Sequence, residues 1–419
     1  MNASMNGKKA DGKARSVLFV VVMFGMISCF GDVMYEGARS ANGQYLNLIG
    51  INAAKVGLIY GIGEFLGYAL RIVSGRISDA TGKHWIFIFI GYGFLLVVPL
   101  MGLTTSWSVL CALILLERVG KALRNPPKDT ILSQVAENHV GTGFVFGLQE
   151  ALDQLGAFAG PLVFTLVFYF SGNHDIGAYQ TGYRVLIFAY ALVMLSVYFA
   201  YKKVSRYNLV REGESISRGS DRLTKTFWIY CLFAFLSSFG FVAFSIIGFH
   251  LKDKEILADG DITLFYAVAM IVDALFALVI GRIYDLIKKK HRNKKAGLLS
   301  LAFIPFATVS LPFLALSDNV GMVIAGMVIF GIIMGAHETI MRSAIADITS
   351  FKKRGTAYGI FNSIYGLAFF AGSSLMGWMY DSLPVSSICI LVAAVELAAL
   401  AVFFIMKRNV ALGDADLLA

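Results

Sequence analysis

The chain has 419 residues, 57% of them hydrophobic and only 15% charged. A soluble domain carries roughly 25% charge, so a soluble globular fold is excluded. The net charge of +9 falls between apolar runs rather than on one basic surface, which points to membrane topology and away from nucleic acid.

The first fifteen residues are polar and basic, with Lys8, Lys9, Lys13 and Arg15. They lead into an apolar run with no small-residue cleavage site, as in a signal anchor. Twelve spans are predicted, at 16–38, 53–74, 84–103, 107–124, 143–171, 181–202, 226–250, 262–284, 296–316, 319–341, 355–380 and 384–407. Their length of about 20 residues is what a hydrocarbon core requires. Pro126 and Pro127 are expected to stop the fourth helix, with a polar amphipathic segment after them. Cys29, Cys111, Cys231 and Cys389 lie in four different runs, with no pairing or metal spacing, so no disulfide is expected.

Lys and Arg are distributed very unevenly. The two termini and the even-numbered connections hold 29, and the odd-numbered connections hold 5. By the positive-inside rule both termini are cytoplasmic and the number of spans is even. The stretch 203–225 is the one long linker. It divides an N-terminal bundle (1–202) from a C-terminal bundle (226–407), with a cytoplasmic tail at 408–419.

The two halves resemble each other. Gly143-Phe-Val-Phe-Gly147 matches Gly355-Thr-Ala-Tyr-Gly359, and Ala159-Gly160 matches Ala371-Gly372 at the same offset. Arg124 to Asp129 matches Arg342 to Asp347, and Gly75-Arg-Ile-Ser-Asp79 matches Gly281-Arg-Ile-Tyr-Asp285. Such repeats are common in transporters, with the solute site between the halves.

This pattern resembles the major facilitator superfamily over nearly the whole chain. The sharpest match is Gly75-Arg-Ile-Ser-Asp79-Ala-Thr-Gly82-Lys83, similar to the family's Gly-x-x-x-Asp-Arg-x-Gly-Arg-Lys loop but with Ala80 where a basic residue is usual. Arg118-Val-Gly-Lys121 resembles the span-four Arg-x-x-Gln-Gly motif, with Lys for Gln. Gly156-x-x-x-Gly160-Pro161 is similar to the Gly-Pro motif of antiporter members. The resemblance implies an all-α membrane fold of two pseudo-symmetric six-helix bundles. It also implies a gate at Gly75, Asp79, Gly82 and Lys83, with Arg124 as the partner of Asp79, and a coupling role for Arg118. Read from the residues alone, Asp79 is a carboxylate able to cap the free amides of span three.

Ionisable groups inside spans are costly and need an account. The first half holds Asp32, Glu36, Glu64, Arg71, Glu117, Arg118, Glu150 and Asp153; the second holds Asp273, His337, Glu338 and Glu396. At 100° per residue, Ser28, Asp32, Tyr35 and Glu36 share one face of span one. Tyr60, Glu64, Tyr68 and Arg71 share a face of span two, and Glu150, Asp153 and Gln154 one of span five. Asp32, Glu36 and Asp153 outnumber the nearby arginines, which favours protonation or a bound cation. Arg71 with Glu64 and Glu117 with Arg118 read equally well as structural ion pairs. Glu150 has a neutral counterpart in the repeat, Asn362, so coupling is expected mainly in the first half.

No Gly-Lys-Ser/Thr phosphate loop, His-Glu-x-x-His motif or Gly-x-Ser-x-Gly elbow occurs. The expectation is therefore a non-enzymatic secondary active transporter of the plasma (inner) membrane. It moves a small solute by alternating access as a monomer, coupled to protons and exporting, with no cofactor, no metal site and lipid as its surroundings. The coupling and substrate candidates are Asp32, Glu36, Glu64, Arg118, Glu150, Asp153 and Glu338. A cation or divalent-metal transporter using the acids of spans one and five is the alternative, and a solute-sensing receptor or membrane enzyme the remote one.

Overall fold

The structure, a computed structural model, describes residues 2–139, 142–172, 175–207, 223–291, 294–349 and 354–415. Within these, some side chains are not described, among them those of Asp79 and Glu150. The described residues form helices and no strand. In chain order these are α1 (Asn2–Leu48), α2 (Ala53–Thr81), α3 (His84–Gly93), α4 (Val97–Met101), α5 (Trp107–His139), α6 (Thr142–Ser171), α7 (Ile176–Val185) and α8 (Ile187–Tyr207). The second half has α9 (Lys225–Phe239), α10 (Phe244–Asp253), α11 (Asp259–His291), α12 (Phe303–Ala315), α13 (Val320–Ala336), α14 (Arg342–Ile348), α15 (Arg354–Ser382) and α16 (Ser386–Ala415). Short 3₁₀ segments at Phe94–Leu96 and Lys294–Ala302, and a π-helical turn at His337–Met341, join pieces of the same span.

Among the described residues, eleven helical segments are long and apolar enough to cross a membrane. The remaining long helix is α5, which carries Glu117, Arg118, Lys121 and Arg124 within its first five turns. Large apolar side chains such as Phe188, Leu278, Phe306 and Leu397 stand on the surface, more than 60% exposed. In a bilayer that surface meets acyl chains, which removes the penalty it would carry in water.

The described residues divide into two compact units: 1–38 with 70–216, and 39–69 with 217–419. In the second unit, the far end of α1 and the near end of α2 are held by very close backbone approach. A methyl group at Gly43 would lie 2.3 Å from the Ser245 carbonyl, and one at Gly57 would lie 2.1 Å from the Ser373 carbonyl. Only glycine permits that spacing, the usual device of membrane helix packing.

The two prolines do not stop the fourth helix. α5 runs on to His139 with Pro126 and Pro127 inside it. Pro126 has no N–H to donate to Ala122, four residues earlier. Ser74 of α2 replaces it, its Oγ donating to the Ala122 carbonyl at 2.6 Å. Gly75 makes room beside it, with an added Cβ lying 3.3 Å from Pro126. The expectation failed because a backbone group freed in a membrane helix can be satisfied by a neighbouring hydroxyl. Ser74→Ala should therefore lower stability by about 1–3 kcal/mol, the cost of one unsatisfied buried acceptor. Thermal unfolding in nanodiscs checks this, and an unchanged midpoint would remove the role given to Ser74. Span seven departs from expectation in the opposite sense: it is broken between Phe239 and Phe244.

Candidate functional site

In the first unit, α6 lies against α1 along its small residues. A Cβ at Gly156 would fall 2.1 Å from the Cys29 carbonyl, and one at Gly160 would fall 2.6 Å from both the Val33 carbonyl and the Gly37 amide. The stripe read from the sequence as a Gly-Pro motif is thus the α1–α6 contact. It sets Asp153, one turn before Gly156, beside Asp32 of α1. The charges acting on Asp32 are those of Asp153, Lys121, Glu36 and Lys128.

α5 supplies the basic side of this cluster. Lys128 is buried, and its Nζ donates to Ser28 Oγ at 2.8 Å, on the face of α1 that carries Asp32. Lys121 Nζ sits 3.4 Å from the centre of the Tyr35 ring and feels Asp32, Glu36, Arg71 and Glu117. Arg118 is buried, donates to the Tyr35 hydroxyl, and pairs with Glu117 at 3.4 Å. Asp32, Glu36, Asp153 and Arg118, all expected from the sequence, therefore converge. The side chain of Glu150 lies outside the described residues.

Asp32, Glu36 and Asp153 still outnumber the arginine beside them, but two lysines join it. With α5 continuous, positions 118, 121 and 128 return to one face, and the acids meet lysines as well as an arginine.

Of the gate residues, Gly75 touches Pro126 and Gly82 has φ +67°, a backbone conformation natural to glycine. Lys83 is exposed at the start of α3. Arg124 is buried; it donates to the Gly91 carbonyl at 3.3 Å and lies 4.9 Å from the Tyr92 ring centre. The side chain of Asp79, its expected partner, lies outside the described residues.

The second unit gathers a different group. Tyr365 of α15 feels Tyr68, Glu338, Glu64 and Arg342, and its hydroxyl lies 3.1 Å from His337 Nδ1. The charges of Glu64 and Glu338, both expected site residues, thus both act on Tyr365, a residue with no motif of its own. His337 and Glu338 open the π-helical turn, a distortion often found at functional positions. Phe241, Phe369, His337 and Tyr365 stand ring against ring, 4.9 to 5.9 Å apart.

Two clasps in the same unit were also missed. Lys288 and Tyr284 of α11 both bind the Asp347 carboxylate of α14, at 2.8 and 2.7 Å. At the other end, Asp381 accepts from the amides of Ala53 and Ala54, at 3.0 and 2.8 Å, and so caps α2. Beside it, Asp253 accepts from Asn47 and Tyr380, and Tyr380 lies 2.9 Å from His250 Nδ1. Each residue sits next to a predicted turn, where a polar side chain carries no pattern of its own.

Comparison with known proteins agrees with this architecture. The family model of the Major Facilitator Superfamily matches residues 17–341 and 257–415. An uncharacterized protein of Mycobacterium tuberculosis (strain H37Rv) is 34% identical over 404 residues, covering 95% of each chain. An MFS-type transporter of Methanocaldococcus jannaschii is 26% identical over 395 residues, covering 91% of this chain and 94% of the relative. Among solved structures, the nucleoside transporter NupG superposes with TM-score 0.70 at 14% identity, covering 92% of this chain and 99% of its own. A bacterial homologue of the lysosomal transporter Spinster gives 0.68 at 15% identity, with 94% and 97% covered. With the all-helical fold and the family model spanning it, the chain is an integral membrane protein of the Major Facilitator Superfamily, a transporter and not an enzyme.

Proposed function

We propose that the protein is a secondary active transporter that moves a small solute by alternating access, coupled to protons and working as an exporter. The carrying observation is the convergence of Asp32 and Asp153 with Lys121 and Lys128 at the α1–α5–α6 contact. A carboxylate pair among movable lysine charges changes its proton affinity when those charges shift, which is what coupling requires. The Gly156–Gly160–Pro161 stripe, similar to that of antiporter members, supports the export direction.

Glu36 and Arg118 set the field on this pair, while Glu64 and Glu338, with Tyr365, form the polar part of the solute wall. Gly75, Asp79, Gly82, Lys83 and Arg124 form the gate on the side carrying the 29 basic residues, taken as cytoplasmic. Two lysines beside Asp32 repel a divalent cation, so an organic solute with protons is favoured over a metal ion. The two bundles are taken as 1–202 and 226–407.

The test begins with a thermal-shift screen for solutes on purified protein. Flux of the solute found is then followed in proteoliposomes under a pH gradient. Wild-type flux should collapse with an uncoupler, and Asp153→Asn should lose gradient-driven flux while keeping exchange of solute. Uncoupler-resistant flux with Asp153→Asn fully active would sink the coupling reading. Flux only in the importing direction would reverse the direction assigned.

A further inference from the structure

Glu396 lies in the middle of α16, a helix otherwise without charge from Ser386 to Met406. It is wholly buried. α16 packs against α9, and Glu396 faces the place where span seven is interrupted. Its Oε2 accepts from Ser237 Oγ at 3.3 Å. Its Oε1 occupies the space a side chain at Gly240 would fill, 2.4 Å from an added Cβ, and has no hydrogen-bond partner. Gly240 is the C-cap of α9, and helical structure resumes only at Phe244.

An ionised carboxylate is poorly served there. The C-terminal end of a helix carries partial negative charge and repels an anion. No basic side chain pairs with Glu396 among the described residues. The described charged side chains of the helices packed around it sit at helix ends: Lys225 on α9, Arg342 and Asp347 on α14, Asp381 on α15, and Lys407 and Arg408 on α16. α12 has none, and Lys294 and Lys295 fall outside the described side chains. An uncompensated buried charge is among the most destabilising features a bundle can hold.

A single proton removes every one of these conflicts. As a neutral acid, Glu396 keeps the Ser237 hydroxyl on one oxygen and gains an O–H on the other. The break supplies acceptors, since backbone carbonyls in an interrupted membrane helix have lost their helical partners. Interrupted helices are also where transporters place coupling ions.

We propose that Glu396 is a proton-binding site set into the break of span seven, carrying a proton while the break is present. The proton comes from water and returns to it, and the carboxyl goes from charged to neutral with no other bond made or broken. If span seven straightens, the carbonyls re-enter helical bonding and the O–H loses its acceptor. Proton occupancy and the break are then linked, each favouring the other. This site is separate from Asp32 and Asp153 and does not depend on their role.

Infrared difference spectroscopy on the full chain in nanodiscs tests the proposal. At neutral pH, wild type minus Glu396→Gln should show the carbonyl stretch of a protonated carboxylic acid, moving on exchange into D2O. Ser237→Ala, which removes the donor but keeps the acid, should retain that band at a shifted frequency, so the test survives if Gln folds poorly. Carboxylate bands in its place would overturn the proposal. So would a neutral-acid band that vanishes on adding Na+, which would assign the site to a metal cation. For the linkage, spin labels at Trp228 and Lys254 should report a pH-dependent distance in wild type and a fixed one in Glu396→Gln. A distance independent of pH in wild type would refute it.

Discussion

Alanine at Gly156 should destabilise the protein more than alanine at any loosely packed helical glycine. The added methyl would lie 2.1 Å from the Cys29 carbonyl, a backbone atom that no rotamer change can move. α1 and α6 must then separate along the stripe that includes Gly160 and Gly37. Overpacking of this kind costs about 1–3 kcal/mol, and more where backbone must shift. Gly93→Ala is the control, because nothing stands within 4 Å of its added Cβ. It should be neutral or stabilising by up to about 1 kcal/mol, the helix preference of alanine over glycine. The measurement is the thermal midpoint of each variant in the same nanodisc. Because the same separation pulls Asp153 from Asp32, gradient-driven flux should fall in Gly156→Ala and persist in Gly93→Ala. Equal midpoints for the two variants would overturn the packing role.

Lys121→Met should be strongly destabilising alone and largely rescued by Asp32→Asn. Lys121 is held between the Tyr35 ring and the acids of α1. Removing its charge leaves Asp32 and Glu36 with one cation fewer. Breaking one partner of a fully buried charge pair costs about 3–5 kcal/mol, and this half-buried cluster should lose a part of that, since solvent screens it. Methionine preserves the length of the stem, so the loss reads charge rather than volume. Neutralising Asp32 as well restores the balance, and contacting charges show coupling of about 0.5–3 kcal/mol in such cycles. The midpoints of the two single variants and the double variant give that coupling directly. Additive effects would mean that Lys121 and Asp32 do not act on each other.

Much of this could be read from the chain before any coordinates. Hydropathy runs marked the spans, because every backbone group in hydrocarbon must be bonded within its own helix. Helical spacing put Asp32, Glu36 and Asp153 on inward faces, and they do converge. Lys128 was missed for a specific reason. Two prolines in a row signal a helix end in water, and only a side chain distant in sequence, Ser74, shows that this pair does not end one. Glu64 was placed in a stripe with Arg71. Its neighbour at Tyr365 depends on the near end of α2 belonging with the second unit, which helical periodicity cannot convey. Asp253, Tyr380 and Asp381 had no signal, since a helix cap donated from another span leaves no spacing to find. Glu396 was visible as an anomaly in an apolar helix, but the break it faces was not, because Ser-Ser-Phe-Gly-Phe within an apolar run looks like continuous helix.

The clasp at Asp381 carries a kinetic consequence. A carboxylate capping a foreign helix contributes about 0.5–2 kcal/mol, and Asn47, Tyr380 and His250 add only bonds of modest net worth. A latch of that strength biases an equilibrium by roughly one order of magnitude or a little more. If the start of α2 and the end of α15 part during transport, a solute that prefers the parted form needs little binding energy to release such a latch.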